Sequence, residues 1–343
     1  MAGSTLSIPS ANPAADLRLP WLAGAVLGLT LLSAAALRLG VRPTGWADVW
    51  AALTAYDAGS AEHIVIRTMR LPRLLGAVLA GAALGISGAL IQGMTRNPLA
   101  DPGLLGINGG AALGVVISIL LFGVTDPAGF VWVALGGGLA ASVLVFLLGG
   151  GSRANPLRLI LAGAAVSALF LALTRALLLA SRQTLDVYRF WVLGGFDGIP
   201  PATLYALLPF LALGTLLAAA AAFGLNALML GEDTARGLGV RTGLTRLTAG
   251  IAIVLLCGAT VAMAGPIAFA GLIVPHLARW AAGPGIGWTI AFSAAFGALL
   301  LTAADLLGRL PLFGGNMQAG VMTALIGGPV LIWLVRRDGV RKL

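Results

Sequence analysis

Ten apolar runs of about twenty residues recur along this chain, separated by short segments that hold most of the charge. They fall at about 19–37, 72–94, 103–123, 129–149, 156–180, 203–225, 246–264, 266–281, 287–307 and 320–335. A helix of ~20 apolar residues at 1.5 Å rise crosses a ~30 Å hydrocarbon core. Charged residues make up 10% of the chain and mean hydropathy is +0.99, whereas a soluble domain carries about 25% charged residues. The pattern predicts an all-α polytopic membrane protein of about ten transmembrane helices, embedded in the lipid bilayer and without a separate soluble domain. Residues 1–18 read as a Ser/Ala/Pro-rich tail, 19–336 as one membrane domain and 337–343 as a basic tail. The first run is long for a signal-peptide core and lacks a basic n-region, so it reads as a membrane helix.

The net charge is +9, and Lys342 is the only lysine among 21 basic residues. The arginines are scattered between spans, so they report loop topology and not a nucleic-acid partner. An even number of spans puts both termini on one side. Twelve basic residues fall on that side and eight on the other, which favours cytoplasmic termini. Arginines kept on the disfavoured side suggest a use there, such as an acidic partner. Arg70 and Arg73 share a helical face at the start of the second span, with Pro72 suited to a first helical turn. Arg309 follows Asp305 by one turn and is expected to pair with it. The plainer reading of these arginines is interfacial anchoring by snorkelling. Within the spans, Arg175 is the conspicuous charge.

Two pairs of the GxxxG type, Gly81 with Gly85 and Gly106 with Gly110, point to close helix packing. Cys257 lies in an apolar run and reads as a packing residue. His63 and His276 fall on opposite faces and form no metal set. A Walker A motif ending in Gly-Lys-Ser/Thr is excluded by the lysine count, so the chain binds no ATP of its own. No nucleophile elbow or metal-ligand cluster is present, and an enzyme is not expected.

Longer motifs carry a resemblance. Arg70-Leu-Pro-Arg73, Gly81-Ala-Ala-Leu-Gly-Ile-Ser-Gly88, Gln92 and Asn97-Pro-Leu-Ala-Asp-Pro-Gly-Leu-Leu-Gly106 stand in order. Gly265-Pro-Ile-Ala-Phe-Ala-Gly-Leu-Ile-Val-Pro-His-Leu-Ala-Arg279, Asp305 to Arg309, and Gly320-Val-Met-Thr-Ala-Leu-Ile-Gly-Gly-Pro329 follow. Together they resemble the FecCD family of permease subunits of binding-protein-dependent ABC importers. The resemblance covers nearly everything after residue 60. It implies a type II ABC importer permease fold in a bacterial cytoplasmic membrane. It further implies a homodimer or a pair with a paralogue, two cytoplasmic ATPase subunits that bind the ATP, and an extracytoplasmic substrate-binding protein. The cargo would be a ferric siderophore first, then haem or cobalamin.

The resemblance also assigns residues. Arg70, Arg73 and Arg309 would dock the binding protein, with Arg67 assisting. Thr234, Ala235, Arg236, Gly237, Leu238 and Gly239 would form the ATPase coupling loop within about 231–246, as two short helices turned at Gly237 and Gly239. Asn97 and Leu99 would belong to a cytoplasmic gate, with Asn155-Pro-Leu157 as a weaker second half. The chain departs from the family pattern at Asn316-Met-Gln-Ala-Gly320, where the family often has Glu-Leu-Pro-Val-Gly. The competing function is an ion-coupled secondary transporter, which the scarcity of mid-span charge disfavours. A membrane scaffold is the non-transport alternative.

Overall fold

The computed structural model describes residues 17–40, 43–150, 156–283, 285–310 and 317–338. Asn155, Asn316 and most of both expected tails lie outside these. Every regular element among the described residues is helical. The helices are α1 (Arg18–Arg38), α2 (Trp46–Thr54), α3 (Ala61–Ile64), α4 (Leu71–Thr95), α5 (Ile107–Phe122), α6 (Pro127–Leu148) and α7 (Pro156–Ala180). They continue as α8 (Arg182–Trp191), α9 (Pro201–Met229), α10 (Glu232–Gly237), α11 (Thr242–Ala264), α12 (Ala270–Ala282), α13 (Ile286–Gly308) and α14 (Ala319–Asp338). Seven rods are long and apolar enough to cross a membrane: α1, the joined α3–α4 rod, α6, α7, α9, α11 and α13. The chain is a multi-pass membrane protein.

Helix α4 is the axis of the packing. In its most apolar window 78% of the residues are buried, against 11% in α1. It lies among α13, α11, α12 and α9. The cause is its row of glycines. A Cβ built on Gly81 would overlap the Gly297 carbonyl oxygen of α13, one on Gly85 the Ser293 carbonyl oxygen, and one on Gly88 the Gly271 carbonyl oxygen of α12. Without side chains at these points the backbones touch, and dispersion contacts accumulate where lipid supplies no hydrophobic drive. The second expected pair behaves in the same way, since Gly110 of α5 meets the Gly137 carbonyl of α6.

Hydrogen bonds tie the helix ends together. At one end, Arg18 Nε donates to the Ala282 carbonyl at 2.9 Å, and the Ile286 N–H donates to Asn226 Oδ1 at 2.8 Å. At the other, the Gly195 N–H donates to the Ala264 carbonyl at 2.7 Å, and the Gly320 N–H donates to the Gly194 carbonyl at 2.8 Å. The surface helices expected near residues 46–53 and after residue 181 are α2 and the amphipathic α8.

Three expected boundaries change. Pro72 stands in the first turn of α4, as expected, but that turn does not start the rod. Ala61–Thr95 is one rod of 35 residues, interrupted by a π-wound stretch, Val65–Arg70, after which the Leu71 N–H bonds the Ile66 carbonyl. Proline lacks an N–H and crowds the carbonyl four residues back, and a wider turn upstream absorbs both. Next, α12 begins at Ala270, not near 266, because Gly265 (φ 73°) ends α11 and Phe269 (φ 67°) holds a left-handed bend. Its 13 residues span about 20 Å, short of a full crossing. Finally, the third run opens with a 3-10 turn, Pro102–Leu105, and Gly106 (φ 77°) before α5 begins.

The glycine contacts set a prediction. Gly85→Ala should lower stability by about 1–3 kcal/mol, because the Ser293 carbonyl it meets is backbone and cannot turn aside. Gly24→Ala on α1, where a Cβ meets nothing within 4 Å, should be neutral or stabilise by less than about 1 kcal/mol. Thermal unfolding of the two variants in detergent compares them directly, and equal midpoints would refute the packing account.

Candidate functional site

The first cluster of chemistry is a corner where α1 and α13 end, α4 begins and the loop after α8 passes. Asp305 is 1% exposed. A carboxylate buried this deeply requires charged partners, and it has two. Arg73 Nε bonds its Oδ1 at 2.8 Å, and Arg309 Nη2 approaches its Oδ2 at 3.1 Å. The expected Asp305–Arg309 pairing is therefore present. Arg73 also reaches outward, with Nη1 2.9 Å from Asp197 Oδ1, whose side chain is 66% exposed.

Arg70 and Arg309 do a second job. The last carbonyls of a helix have no partner within it, and a cation there also meets the negative end of the helix dipole. Arg70 Nη1 donates to the Leu37 and Arg38 carbonyls at 2.7 and 2.8 Å and to Thr44 Oγ1 at 3.0 Å. Arg309 Nη1 donates to the Ala36 carbonyl at 3.2 Å. Arg70 is 7% exposed and Arg309 6%. A shared rim position for Arg70, Arg73 and Arg309 is thus not what the fold presents. Arg70 and Arg309 are turned inward to the end of α1, while Arg73 bridges inside and outside. Exposed cations nearby are Arg38 and Arg67, whose guanidiniums lie 5.0 Å from the centres of the Trp46 and Tyr56 rings.

The second cluster lies at the opposite end. Helix α10 has six residues, and a turn at Gly239 (φ 79°) returns the chain to α11. The Gly239 N–H bonds the Arg236 carbonyl at 2.9 Å and the Val240 N–H bonds the Ala235 carbonyl at 3.0 Å. Ala235 is fully buried and anchors the platform, while Leu238 is 61% exposed. Thr234, Arg236, Gly237 and Gly239 are exposed as well. Glu232 fastens this platform to α11, accepting from Arg246 Nη2 at 2.9 Å and from Arg236 Nη2 at 2.7 Å. The bond from Arg246, ahead of the other contributions, holds the Glu232 carboxyl below the usual carboxylate range. The expected pair of short helices is one short helix and the first turn of α11. The sharp turn sits at Gly239, while Gly237 is helical.

The loop after α4 also lies at this end. Arg96 (φ 51°) terminates the helix. Asn97 Oδ1 accepts from the Leu99 N–H at 2.9 Å, so Asn97 shapes the turn and leaves Leu99 45% exposed. Gln92 Nε2 donates to the Leu272 carbonyl at 3.0 Å, which ties the loop's base to α12. Pro156 begins α7, but the Asn155 of the weaker gate half lies outside the described residues. No group of three or more His, Cys, Asp or Glu residues placed to hold a metal exists among the described residues. His276 sits beside Arg279 and against Trp280.

Two contributors were not singled out in the sequence. Asp197 is one, inside a Gly-rich turn whose only signal was an acid a few residues after Arg182 and Arg189. The other is the Glu232–Arg246 bond, which joins residues fourteen apart and matches no helical spacing.

A family model described as the FecCD transport family matches residues 28–337. The chain is 41% identical over 320 residues to the ferric enterobactin transport system permease protein FepD of Escherichia coli (strain K12), covering 92% of this chain and 94% of that protein. It is 36% identical over 319 residues to the hemin transport system permease protein HmuU of Yersinia pestis, covering 90% and 93%. A solved structure assigned as an inward-facing conformation of a metal-chelate type ABC transporter superimposes with a TM-score of 0.82 at 30% identity, over 93% of this chain and 99% of that one. With two clusters at opposite ends of one glycine-packed helical body, the chain belongs to the FecCD transport family.

Proposed function

We propose that this chain is the membrane-spanning permease subunit of a binding-protein-dependent ABC importer that moves an iron complex inward, a ferric siderophore in the first instance. The catalytic ATP hydrolysis belongs to two partner subunits that seat on the α10 platform. Two copies, or this chain with a paralogue, enclose the path. Ten passes result when α5 and α14 join the seven long rods and residues 266–269 lengthen the pass that α12 alone leaves short, and both termini are cytoplasmic. An external binding protein docks at the corner opposite α10.

One observation carries this reading. Helix α11 starts at the platform, where Arg246 holds Glu232, and ends at the corner, where the Ala264 carbonyl holds Gly195, two residues from Asp197. A single buried rod thus joins the surface assigned to the ATPase to the surface assigned to the binding protein. Importers need such a connection between packed elements with two discrete arrangements. At the corner, Arg67 is an exposed rim cation resting on Tyr56, Arg73 the fork within reach, and Arg70 with Arg309 the support. Rim charges set on-rate and register more than affinity.

The decisive experiment is ATPase activity of this chain in nanodiscs with its co-expressed ATPase and binding protein. Stimulation by the binding protein loaded with one ferric chelate supports the function. A chain that never co-purifies with an ATPase would sink it.

Arg67→Glu should cut the binding protein's association rate by about tenfold at low salt, with little effect at high salt. Arg70→Glu should instead destabilise the chain by about 3–5 kcal/mol, since it strips the α1 carbonyls and buries a new charge. Binding kinetics and melting curves on both variants separate these roles. Leu238→Asp should abolish ATPase co-purification and leave unfolding within about 0.5 kcal/mol, as an exposed substitution does.

The Glu232 clamp adds a pH dependence. Its folded pKa is depressed, so its stabilisation is present above the ordinary value of 4.5 and is lost as pH falls through the lower folded value. Glu232→Gln should therefore flatten the acid limb of the melting profile below that pH. Parallel acid limbs for the variant and the parent chain would contradict the assignment.

A further inference from the structure

Four long helices expose most of their surface. The buried share of the most apolar window is 11% in α1, 22% in α7, 28% in α9 and 33% in α6. Helices α6 and α9 contain no charged residue, and α1 has charges only at its terminal Arg18 and Arg38. Uncharged faces of this kind suit hydrocarbon. Helix α7 differs, because Arg175 stands within it, exposed, about 7.5 Å before its end at Ala180. Arg175 makes no hydrogen bond or ion pair among the described residues. Ala164, Ala168 and Ala172 are exposed too, and three- and four-residue steps line them up with Arg175 on one face.

A guanidinium on that face fits neither of two dry surroundings. Hydrocarbon disfavours it strongly, and intramembrane charges face bundle interiors or water-filled cavities. A dry contact with α7 of a second copy would bury it, and α7 itself carries no carboxylate to pair with it. Water satisfies it. Its place along the span follows from the chain, since α7 ends at Ala180 and α8 leads directly into the loop that bears Asp197. Arg175 therefore lies toward the end that holds Asp197 and Arg73.

We propose that the Arg175 face of α7 borders a water-filled path between two copies of this chain, and that Arg175 is an anion-selecting contact near its outer mouth for the carboxylate or catecholate oxygens of a ferric chelate. The inference rests on the importer reading for its cargo and its second copy. The chemistry matches: such chelates keep negative charge around the metal, and a guanidinium fork pairs with paired oxygens. The cation would raise the local concentration of an anion in a narrow, low-dielectric channel. Arg175 is assigned selectivity here and no catalytic step.

The chain makes the test direct, since its one cysteine, Cys257, is buried. In a Cys257→Ala background, Ala172→Cys is placed as a reporter in the full transporter in native membranes. Its reaction rates with an anionic sulfonatoethyl and a cationic trimethylammonioethyl methanethiosulfonate are measured. Leu213→Cys, on the exposed uncharged face of α9, serves as the lipid-facing control. The reporter should react from water, and Leu213→Cys should not. Adding Arg175→Gln should lower the anionic-to-cationic rate ratio by about tenfold, and Arg175→Lys should hold it within about twofold. An unreactive Ala172→Cys, or a ratio that Arg175→Gln leaves unchanged, overturns the proposal in favour of a snorkelling anchor. Arg175→Cys is a second route should the Gln variant fail to accumulate: reaction from water supports the path, and silence refutes it. Labelling requires no ATP, cargo or binding protein, so this inference and the importer reading can fail separately.

Discussion

Backbone contact along α4 is the constraint from which the rest of the structure follows. In a bilayer, apolar side chains gain little by leaving lipid for protein, so close approach must supply the attraction. Gly81, Gly85 and Gly88 allow it by leaving carbonyl oxygens of α13 and α12 in direct contact with α4. Once α4 is seated, its two ends are fixed. One carries Arg73 into the corner with Asp305. The other carries Gln92 to the Leu272 carbonyl and sets the start of the Asn97 loop. The surfaces at both ends are thus products of helix packing and not independent additions to it.

The corner illustrates how charge is used where water is scarce. Asp305 would be intolerable alone, yet with Arg73 and Arg309 it becomes a junction between α4 and α13. The leftover donors of Arg70 and Arg309 complete the open end of α1, a helix with little other burial. Arg70 therefore holds the least packed of the long helices onto α4, and Arg309 holds it onto α13. Of the arginines around Asp305, Arg73 is the one whose outward arm, with Asp197, reaches the surface.

Much of this was legible in the residue order. Span positions follow from hydropathy, the GxxxG pairs from spacing, and the Asp305–Arg309 pair from one helical turn. The motifs that placed the chain in its family are long and ordered, so they survived the lack of any structural view. What was not legible is directional. An arginine at a span end looks the same in sequence whether it faces a partner or turns back on α1, as Arg70 and Arg309 do. Pro266 suggested the start of a span, whereas the left-handed Phe269 sets the true start, and nothing in the identity of a phenylalanine announces that conformation. Pro72 suggested a first turn and stands in one, but the widened turn upstream, which no residue announces, carries the rod further back. The Glu232–Arg246 bond joins two elements, so no single-helix pattern could reveal it.

The length of α11 has a mechanical consequence. Its 23 residues make a rod of roughly 34 Å. Pivoted near one end, a tilt of only ~5° sweeps the far end through ~3 Å, about the whole donor–acceptor separation of a hydrogen bond. The 2.7 Å bond from Gly195 to the Ala264 carbonyl cannot stretch to follow such a sweep, so the loop that bears Asp197 must either travel with the rod or let go of it. A small angular input at Glu232 would become a yes-or-no event on the opposite face, with a gear ratio set by nothing more than the number of residues between them.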